Sequence, residues 1–500
     1  MKKIIIIGGG IAGLGAAYKV YRATQAGHDV SFQLFEKSER LGGKLATDRI
    51  PDPETGEEFI VDGGSDSFLT EKTPVHRVAK LLGIFEDESP TSDEFKKTLI
   101  VKRGRLVELP DGIMMFAPTK ILPMATTSLY SWPAKLRMAL DLVLPRKKVP
   151  AGQLNDESLE SFVVRRLGRE ALDRLAEPLV GGVNGSDPAL MSLAATYPSL
   201  LAMEQEHGSL VRGFLAQRKK VEAIKKKFPL KPGAKPRTFF SSFYGGMQYL
   251  TDRMADEAGR ESMRTGVAAT HITREPNGTW TVELDTGERV PGDAVIVATE
   301  IWAAEELLRG VDAKTAELLS QIPSSSSATV PIAFREQDCP FDKHWHGILS
   351  PRIEHMAVTG VSLVSSKWPG KTPEGRVLMR AFVGGPHNQD VLTRSDDEII
   401  EMVRTVLVDL LGVRAESEPL FARVYRWDRG MPQYTLGHLD RAAAIESCVE
   451  SMSGLGLAGG GLRGVGVPNC LDSGEKAVTK ILSEWGMALA EDSADDRRLY

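Results

Sequence analysis

Residues 4–13, IIIIGGGIAG, and residues 30–36, VSFQLFE, decide the fold of this 500-residue chain. Four consecutive β-branched residues are typical of a strand buried on both faces, and the glycines after them have the spacing Gly-x-Gly-x-x-Gly. Small and apolar residues at helical spacing then predict a helix. A second strand ends at Glu36, 23 residues after Gly13. This order of strand, glycine turn, helix, strand and acid predicts a dinucleotide-binding unit.

The residues of the glycine turn have separate predicted roles. Gly8 allows the tight turn, and Gly13 lets the helix pack closely on the strand. Gly10 lets the backbone approach a pyrophosphate at the helix N-terminus, where the helix dipole favours anions. Glu36 can accept hydrogen bonds from both hydroxyls of an adenosine ribose. The alternative interpretation is a glycine-rich turn that binds nothing.

Residues 40–44, RLGGK, follow the acid directly and distinguish between NAD and FAD. A basic residue and paired glycines at this place resemble the flavin-binding stretch of the glutathione-reductase-like and amine-oxidase-like flavoproteins, which predicts FAD as the cofactor. An ordinary loop is the alternative. Residues 61–68, VDGGSDSF, join small residues with a hydroxyl and a carboxylate, and we expect this loop to touch the flavin.

A second Gly-x-Gly-x-x-Gly pattern occupies residues 459–464. No second strand with a terminal acid follows it, so it does not predict a second dinucleotide-binding unit. The helix predicted from about Ser473 to Trp485 is instead expected to place its N-terminus at the flavin pyrophosphate or ring of the first site. Without a nicotinamide domain, the reduced flavin must pass its electrons to a transient acceptor, and oxygen or a quinone is the simple candidate.

Length and composition bound the class of protein. Five hundred residues predict two or three domains, and 42% hydrophobic with 26% charged residues is typical of a soluble globular chain. A formal charge of −5 argues against a general nucleic-acid binder, which needs a basic surplus. Three cysteines far apart in sequence fit a reducing compartment, and no apolar run is long enough to span a membrane. We therefore expect a cytoplasmic protein.

Two segments favour contact with a surface or a partner. Residues 117–148 are apolar and aromatic with few acids, which fits either plain core or a helical layer that touches a membrane. Residues 218–237 hold nine basic residues against one acid, a segment charge of +8. This segment is either a solvated helix and linker or a site for transient contact with an anionic lipid surface or an acidic partner.

Motifs spread over nearly the whole chain resemble the oxygen-dependent protoporphyrinogen and coproporphyrinogen III oxidases of haem synthesis, in the amine-oxidase-like flavoprotein superfamily. They are residues 8–18 (GGGIAGLGAAY), 61–72 (VDGGSDSFLTEK), 116–123 (FAPTKILP), 177–183 (EPLVGGV), 185–193 (GSDPALMSL), 206–210 (EHGSL), 427–439 and 463–470. The chain looks most like the Gram-positive-type bacterial branch, whose members oxidise coproporphyrinogen III. The resemblance implies an FAD-dependent oxidase that removes six electrons from a porphyrinogen and passes them to oxygen, giving hydrogen peroxide. It also makes the next haem-pathway enzyme a candidate for a transient partner of residues 218–237.

The resemblance also implies positions for the two ligands. Its cofactor positions are Gly8, Gly9, Gly10, Ile11, Ala12, Gly13, Glu36, Lys37, Arg40, Gly43, Lys44, Gly64, Ser65, Asp66, Ser67, Val267, Trp427, Val465, Gly466 and Val467. Its substrate positions are the cations Lys72 and Lys97 together with Asn184, Gly347, Ile348, Leu349 and Val361. No catalytic acid, base or nucleophile is assigned. His344-x-His346 lacks a third ligand, so no metal site is predicted.

The sequence departs from the family pattern at three places. Ser65 and Glu300 each replace a proline, and Asn184-Gly185-Ser186 stands where the family has Tyr-Ala-Gly. The last change lies beside the expected substrate pocket, so coproporphyrinogen III and protoporphyrinogen IX both stay open as substrates. Alternatives of the same fold are an amine or polyamine oxidase, a carotenoid-type desaturase and a non-catalytic flavin-binding partner protein.

The expected fold class is α/β, with a discontinuous Rossmann-like FAD-binding domain, a mixed α/β substrate domain and a helical insertion. The FAD-binding domain is predicted to comprise residues 1–52, 236–302 and 438–486. The substrate-binding domain is predicted to comprise residues 53–92, 193–235 and 303–437. Residues 93–192 are predicted to form the helical domain, for which membrane association and plain packing into the core are the two alternatives.

Overall fold

A parallel sheet contains the N-terminal strand in this computed structural model, which describes residues 1–92, 97–150, 152, 154–227, 238–487 and 489. The strand order of this nucleotide-binding sheet is Met263–Arg264, Val30–Phe35, Lys2–Ile7, Ala294–Val297 and Leu455–Leu457. The four isoleucines at its centre are at most 3% exposed, as a strand covered on both faces requires. Its strands come from the start, middle and end of the chain.

Helices and a small sheet cover the two faces of the nucleotide-binding sheet. The helices on one face are Ile11–Gln25, Thr73–Leu81, Gln248–Ala258 and Val467–Glu484. The other face packs against the antiparallel strands Ala269–Arg274, Trp280–Leu284 and Arg289–Gly292 and the helices Ile301–Leu308, Ala313–Ser320 and His438–Glu450. Both faces are therefore covered by packed side chains, and the carboxyl ends of the strands are the place where such a sheet binds its ligands.

A mostly antiparallel large sheet forms the second body of the fold. Its strand order is Phe421–Ala422, Ser324–Arg335, Arg376–Gly384, Val358–Leu363, Gly347–Leu349, Thr98–Lys102 and Arg105–Glu108, and Tyr425–Pro432 also pairs with Ser324–Arg335. Helix Asp396–Leu411 packs on this sheet and begins with a capping box between Ser395 and Glu398. Shorter pieces are the strands Thr47–Pro51, Glu58–Asp62, Phe68–Leu69, Glu88–Pro90, Ile113–Met114, Ala117–Pro118 and Phe240–Phe243, and the helix Val364–Lys367.

A helical layer encloses its own core beside the large sheet. Its helices are Ile121–Thr126, Trp132–Ala139, Leu159–Arg166, Arg169–Ala171, Glu177–Asn184, Leu193–Thr196, Pro198–His207 and Leu210–Lys227, with a π-helical turn at Leu172–Ala176. No helix in the described ranges is long and apolar enough to cross a membrane.

The packing differs from the predicted domain boundaries at three places. Strands Thr98–Lys102 and Arg105–Glu108 belong to the large sheet, although they lie in the predicted helical domain. The helices between residues 193 and 227 pack into the core of the helical layer rather than into the substrate domain. The predicted boundary after Asp52 falls inside a hairpin that pairs Thr47–Pro51 with Glu58–Asp62. We propose a helical layer of residues 113–227, because these residues share one apolar core.

Candidate functional site

One cavity of about 2430 Å³ lies where the nucleotide-binding sheet, the large sheet and the helical layer meet. A pocket for one small ligand typically has a volume of about 300–1,000 Å³. The cavity therefore has room for two ligands of cofactor size. Its wall includes the carboxyl ends of the nucleotide-binding strands, where open α/β sheets place their ligands.

The four glycines of the turn have different surroundings. An added Cβ atom at Gly8, Gly9 or Gly13 would lie within 2.6 Å of neighbouring protein atoms, and Gly8 has a φ of +106°. The same atom at Gly10 would meet nothing closer than 3.9 Å, and Gly10 lines the cavity. The fold itself therefore needs three of these glycines, whereas Gly10 leaves free space at the N-terminus of helix Ile11–Gln25. This space fits a pyrophosphate.

Glu36 is held at the same end of the cavity by two neighbours. Its Oε2 accepts a hydrogen bond from the backbone N–H of Gly9 at 2.7 Å. Its Oε1 accepts hydrogen bonds from the N–H and the hydroxyl of Ser38 at 2.8 and 2.7 Å. A carboxylate has about four acceptor sites, and these three hydrogen bonds leave about one for a ribose hydroxyl, although the sequence predicted bonds from both hydroxyls.

A second helix N-terminus reaches the cavity. This helix begins at Val467, six residues before the predicted start at Ser473, because Pro468 occupies its first turn with a φ already suited to a helix. It packs very closely on helix Ile11–Gln25, since a Cβ atom at Gly474 would lie 1.9 Å from the carbonyl oxygen of Ala12. Two positive helix ends therefore meet at one cavity, and together they suit a diphosphate.

Side-chain hydrogen bonds to its carbonyl groups hold the loop of residues 62–67 in place. The Nη1 of Arg380 donates hydrogen bonds to the carbonyls of Asp62 and Gly64 at 3.0 Å each. The indole N–H of Trp427 donates to the carbonyl of Gly63 at 3.1 Å. Residues 64–67 and Trp427 line the cavity in this arrangement. The large sheet therefore sets the position of a loop that belongs to the cofactor side.

Lys44 and Glu300 form an ion pair across the cavity wall. Lys44 Nζ lies 2.7 Å from Glu300 Oε1 and also donates to the carbonyl of Gly430. Glu300 stands where the family pattern has a proline, and Lys44 supplies the charge partner for this replacement. The negative charge that Glu300 introduces is therefore balanced by Lys44.

The chain is similar to known proteins over nearly its whole length. The profile of the family described as "Flavin containing amine oxidoreductase" matches residues 11–482. The chain belongs to this family. It is 30% identical to the coproporphyrinogen III oxidase of Bacillus subtilis (strain 168) over 488 residues, which cover 96% of this chain and 98% of the relative. It is 31% identical to the coproporphyrinogen III oxidase of Propionibacterium freudenreichii, with 96% and 90% covered.

A solved structure shows the same architecture. The putative protoporphyrinogen oxidase from Exiguobacterium sp. 255-15 superposes with a TM-score of 0.83 at 29% identity and covers 97% of this chain and 99% of the other. Cyclohexylamine oxidase from Brevibacterium oxydans has a TM-score of 0.66 at 16% identity, which shows the shared fold alone. The predicted family, the α/β fold class and the flavin cofactor are confirmed.

Most of the cofactor positions predicted for this flavoprotein lie in the cavity wall. They are Gly8, Gly10, Ile11, Ala12, Glu36, Lys37, Arg40, Gly43, Lys44, Gly64, Ser65, Asp66, Ser67, Trp427, Val465, Gly466 and Val467. Gly9 and Gly13 support the turn from behind the wall. Val267 also lies outside the wall, and its N–H donates to the carbonyl of Glu36 at 3.0 Å. Contacts of individual residues with FAD stay predictions.

The predicted substrate positions divide into two groups. Lys72 lines the cavity and donates from Nζ to Asn469 Oδ1 at 2.5 Å, and the apolar positions Gly347, Ile348, Leu349 and Val361 also line it. Lys97 does not line the cavity. Its Nζ lies on the surface, 3.3 Å from Glu108 Oε2. Adjacent Thr98 faces the cavity, and neighbouring residues of an extended chain point to opposite sides. The side chain of Asn184 lies outside the described part of the structure.

The sequence prediction missed several wall residues. Lys367, Arg380 and Tyr434 line the cavity but had no predicted role. The signal for Arg380 was a single charge inside the apolar run of residues 377–383, VLMRAFV, since a buried charge is rare without a specific partner. In the residues that the structure describes, no group of three or more His, Cys, Asp or Glu side chains could hold a metal ion.

Tyr434 and His438 hold the glycine-rich segment 459–464 at the cavity. Their rings stack with centroids 3.8 Å apart. The Tyr434 hydroxyl donates to the carbonyl of Gly460 at 2.6 Å and accepts from the N–H of Gly464 at 2.7 Å. The Nε2–H of His438 donates to the carbonyl of Leu462 at 2.9 Å. Tyr434 and His438 both belong to the family motif of residues 427–439, so this motif supports the glycine-rich segment 459–464.

Acid should destabilise the protein through His438. Burial lowers the pKa of His438 to about 4, whereas an unfolded histidine titrates near ~6.5. The unfolded chain therefore binds the extra proton between these values, and stability is lost as the pH falls through this range. We expect a loss of about 2 kcal/mol between pH 7.5 and 5 from this residue. Urea unfolding at the two pH values should show a correspondingly smaller loss in His438→Gln, and an equal loss would contradict the assignment.

Proposed function

We propose that this protein is an FAD-dependent oxidase that converts a porphyrinogen to the porphyrin, with coproporphyrinogen III preferred over protoporphyrinogen IX. One observation carries the proposal. A single cavity combines a wall shaped for a dinucleotide with a sheet wall of Ile348, Leu349 and Val361 that offers apolar contact to a flat ligand. The similarity to coproporphyrinogen III oxidases of two bacteria supports the same substrate class.

The proposed reaction balances in hydrogen and electrons. A porphyrinogen loses six hydrogen atoms when it becomes a porphyrin, and three oxygen molecules accept them as three molecules of hydrogen peroxide. Bound FAD supplies the two-electron acceptor for each of the three rounds. The protein holds the macrocycle against an apolar wall, excludes water and binds the carboxylates of the substrate through cations. Lys72 is placed to bind one of these carboxylates, because it lines the cavity with its ammonium already ordered by Asn469.

A direct comparison of substrates tests the proposal. Purified holoprotein is given coproporphyrinogen III, protoporphyrinogen IX or a polyamine in air, and porphyrin fluorescence and peroxide are followed together. We expect porphyrin formation with peroxide from both porphyrinogens and a higher kcat/KM for coproporphyrinogen III, which has four propionates. Gly10→Val protein measures the spontaneous background. Turnover of the polyamine without enzyme-dependent porphyrin formation would overturn the proposal.

Lys72 and Lys97 provide a matched pair of substitutions. Lys72→Met removes a cavity cation, and we expect the KM for coproporphyrinogen III to rise about tenfold, since a charge-assisted hydrogen bond contributes ~1.5–3 kcal/mol. Lys97→Met removes a cation that pairs with Glu108 on the surface and should leave KM unchanged. Steady-state kinetics on the two variants measures both effects. Equal KM values in the two variants would remove Lys72 from the substrate site.

We further propose that the helical layer contacts an anionic membrane surface. Leu122, Trp132, Leu136 and Val143 of this layer are between 66% and 74% exposed, which is unusual for large apolar side chains. Helix Leu210–Lys227 presents exposed basic residues, and the rest of the predicted basic segment, residues 228–237, lies outside the described residues. Apolar insertion together with basic charge is typical of peripheral membrane binding.

Vesicle flotation tests the membrane proposal. We expect the protein to float with vesicles that contain phosphatidylserine and less with neutral vesicles. The double variant Trp132→Ser, Leu136→Ser should lose most of this binding, whereas Ile353→Ser, an exposed apolar residue outside the layer, should keep it. No flotation with either vesicle would overturn the proposal and leave a protein partner as the better explanation of the surface.

A further inference from the structure

Five charged side chains form a cluster behind the loop of residues 62–67. They are Asp62, Asp66, Lys367, Lys371 and Arg380. Each of these side chains is at most 17% exposed. Two carboxylates face three cations, so the cluster carries an excess of one positive charge when all five groups are ionised. Because water and salt screen buried charges less than exposed ones, the electrostatic potential of this positive charge extends farther than it would in water.

The excess charge lies on the side of the cluster that faces the cavity. Lys371 Nζ lies 2.7 Å from Asp62 Oδ2 and donates to Ser242 Oγ at 2.6 Å, so this cation is neutralised away from the cavity wall. Lys367 and Arg380 both line the cavity and share the single carboxylate of Asp66, each at 3.3 Å. Among the residues that the structure describes, these two cavity cations therefore share one counter-charge.

The protonation behaviour agrees with this arrangement. Burial by itself would raise the pKa of Asp66, but Arg380 and Lys367 outweigh it and hold the pKa of this carboxyl far below its ordinary value. Burial also lowers the pKa of Lys367, an effect that the carboxylate of Asp66 opposes. Asp66 is therefore anionic at neutral pH, and its contribution to the charge of the cluster is constant.

Arg380 connects the cluster to the loop. Its Nη1 holds the carbonyls of Asp62 and Gly64, while its Nε, also buried, has no hydrogen-bond partner among the described residues. A guanidinium with an unused donor at a cavity wall leaves its charge only partly compensated by local hydrogen bonds. Residues 64–67, which Arg380 positions, are those proposed to lie against the flavin ring.

We propose that the positive charges of Lys367 and Arg380 raise the reduction potential of bound FAD. This inference rests on the proposed position of the flavin ring beside residues 64–67. Two-electron reduction with uptake of one proton leaves one negative charge on the flavin ring. A net positive charge behind the adjoining loop stabilises this charge and so favours the reduced cofactor. Asp66 has the opposite effect, because it offsets part of the positive charge.

Charge-changing variants of the holoprotein test the inference without any porphyrinogen. Spectroelectrochemical titration should give a lower midpoint potential for Lys367→Met and for Arg380→Met than for the wild type. It should give a higher one for Asp66→Asn. Arg380→Lys keeps the charge and should restore most of the wild-type potential. Lys476→Met, on a side chain that is 75% exposed and pairs with Asp472, is the matched surface control.

The direction of the change in midpoint potential distinguishes an electrostatic effect from a loss of order in the loop of residues 62–67. Loosening alone would move the potential in the same direction for Asp66→Asn and Lys367→Met, and this result would overturn the inference. Potentials equal to that of Lys476→Met would overturn it as well. If Arg380→Met does not retain FAD, Lys367→Met and Asp66→Asn decide the question. Since no substrate is present, a failure of porphyrinogen turnover would leave these potentials unaffected and contradict only the proposed function.

Discussion

Gly10→Val should yield a folded protein that no longer binds FAD. Gly10 has an ordinary extended backbone at the start of helix Ile11–Gln25, with φ −73° and ψ 179°, so valine can adopt it without strain. A Cβ atom there meets no protein atom closer than 3.9 Å, but it occupies the space proposed for the pyrophosphate. We expect FAD affinity to fall at least about 100-fold, which corresponds to ~2.8 kcal/mol. Flavin absorbance per protein after purification, and FAD titration of the apoprotein, measure the loss.

Two other glycines serve as controls for this result. Gly310→Val adds the same side chain where nothing lies within 4 Å, and it should retain wild-type flavin content. Gly13→Ala places a Cβ atom 1.9 Å from the carbonyl oxygen of Gly8, so it should lower the unfolding temperature as well as the flavin content. Normal flavin content in folded Gly10→Val would show that the pyrophosphate lies elsewhere.

Arg166→Met should destabilise the helical layer strongly. Arg166 and Asp141 are both fully buried, with Arg166 Nε donating to Asp141 Oδ1 at 2.7 Å. Asp141 also accepts hydrogen bonds from the hydroxyl of Ser209 at 2.6 Å and from the N–H of Val211 at 3.1 Å. Methionine fills part of the space but leaves the carboxylate without its counter-charge. We expect a loss of about 3–5 kcal/mol in the free energy of unfolding of this layer.

A neighbouring arginine is the control for that substitution. Arg169 is 59% exposed and pairs with Glu160 at 2.6 Å, and an exposed pair contributes about 0–1 kcal/mol. Urea unfolding followed by circular dichroism should therefore show a much earlier first transition in Arg166→Met than in Arg169→Met. Coincident transitions in the two variants would mean that the buried pair does not limit the stability of the layer.

The sequence predicted structure best where a continuous segment of the chain forms a complete structural unit. Residues 4–36 gave the strand, turn, helix and second strand, because buried β-branched runs and glycine spacing act locally. The helix near the C-terminus was predicted, but it begins six residues earlier than predicted, with Pro468 in its first turn. The helical domain was predicted for residues 93–192, whereas residues 98–108 supply strands of the large sheet and the described residues of 193–227, predicted for the substrate domain, pack into the core of the helical layer.

Side-chain direction separates the predicted substrate cation that lines the cavity from the one that does not. Lys72 and Lys97 are equally plausible cations in sequence, yet only Lys72 lines the cavity. Strand alternation would have given opposite directions for Lys97 and Thr98, but not which of them faced the cavity. Lys367 ends the helix Val364–Lys367 and Arg380 lies in the strand Arg376–Gly384, and no local pattern connects either residue with Asp66.

The sequence by itself determined the dinucleotide-binding unit, because glycines and an acid at fixed spacing constrain the backbone around a diphosphate wherever they occur. Its cofactor class and its family came from the resemblance of motifs along the chain to those of known flavoproteins. Only the tertiary structure decided the rest of the site. It showed that three of the four turn glycines serve the fold and that Gly10 faces the cavity. It also brought a cation-rich cluster behind the loop of residues 62–67. Contacts between residues about 300 positions apart depend on how sheets and helices pack, and this packing has no signature in any single segment.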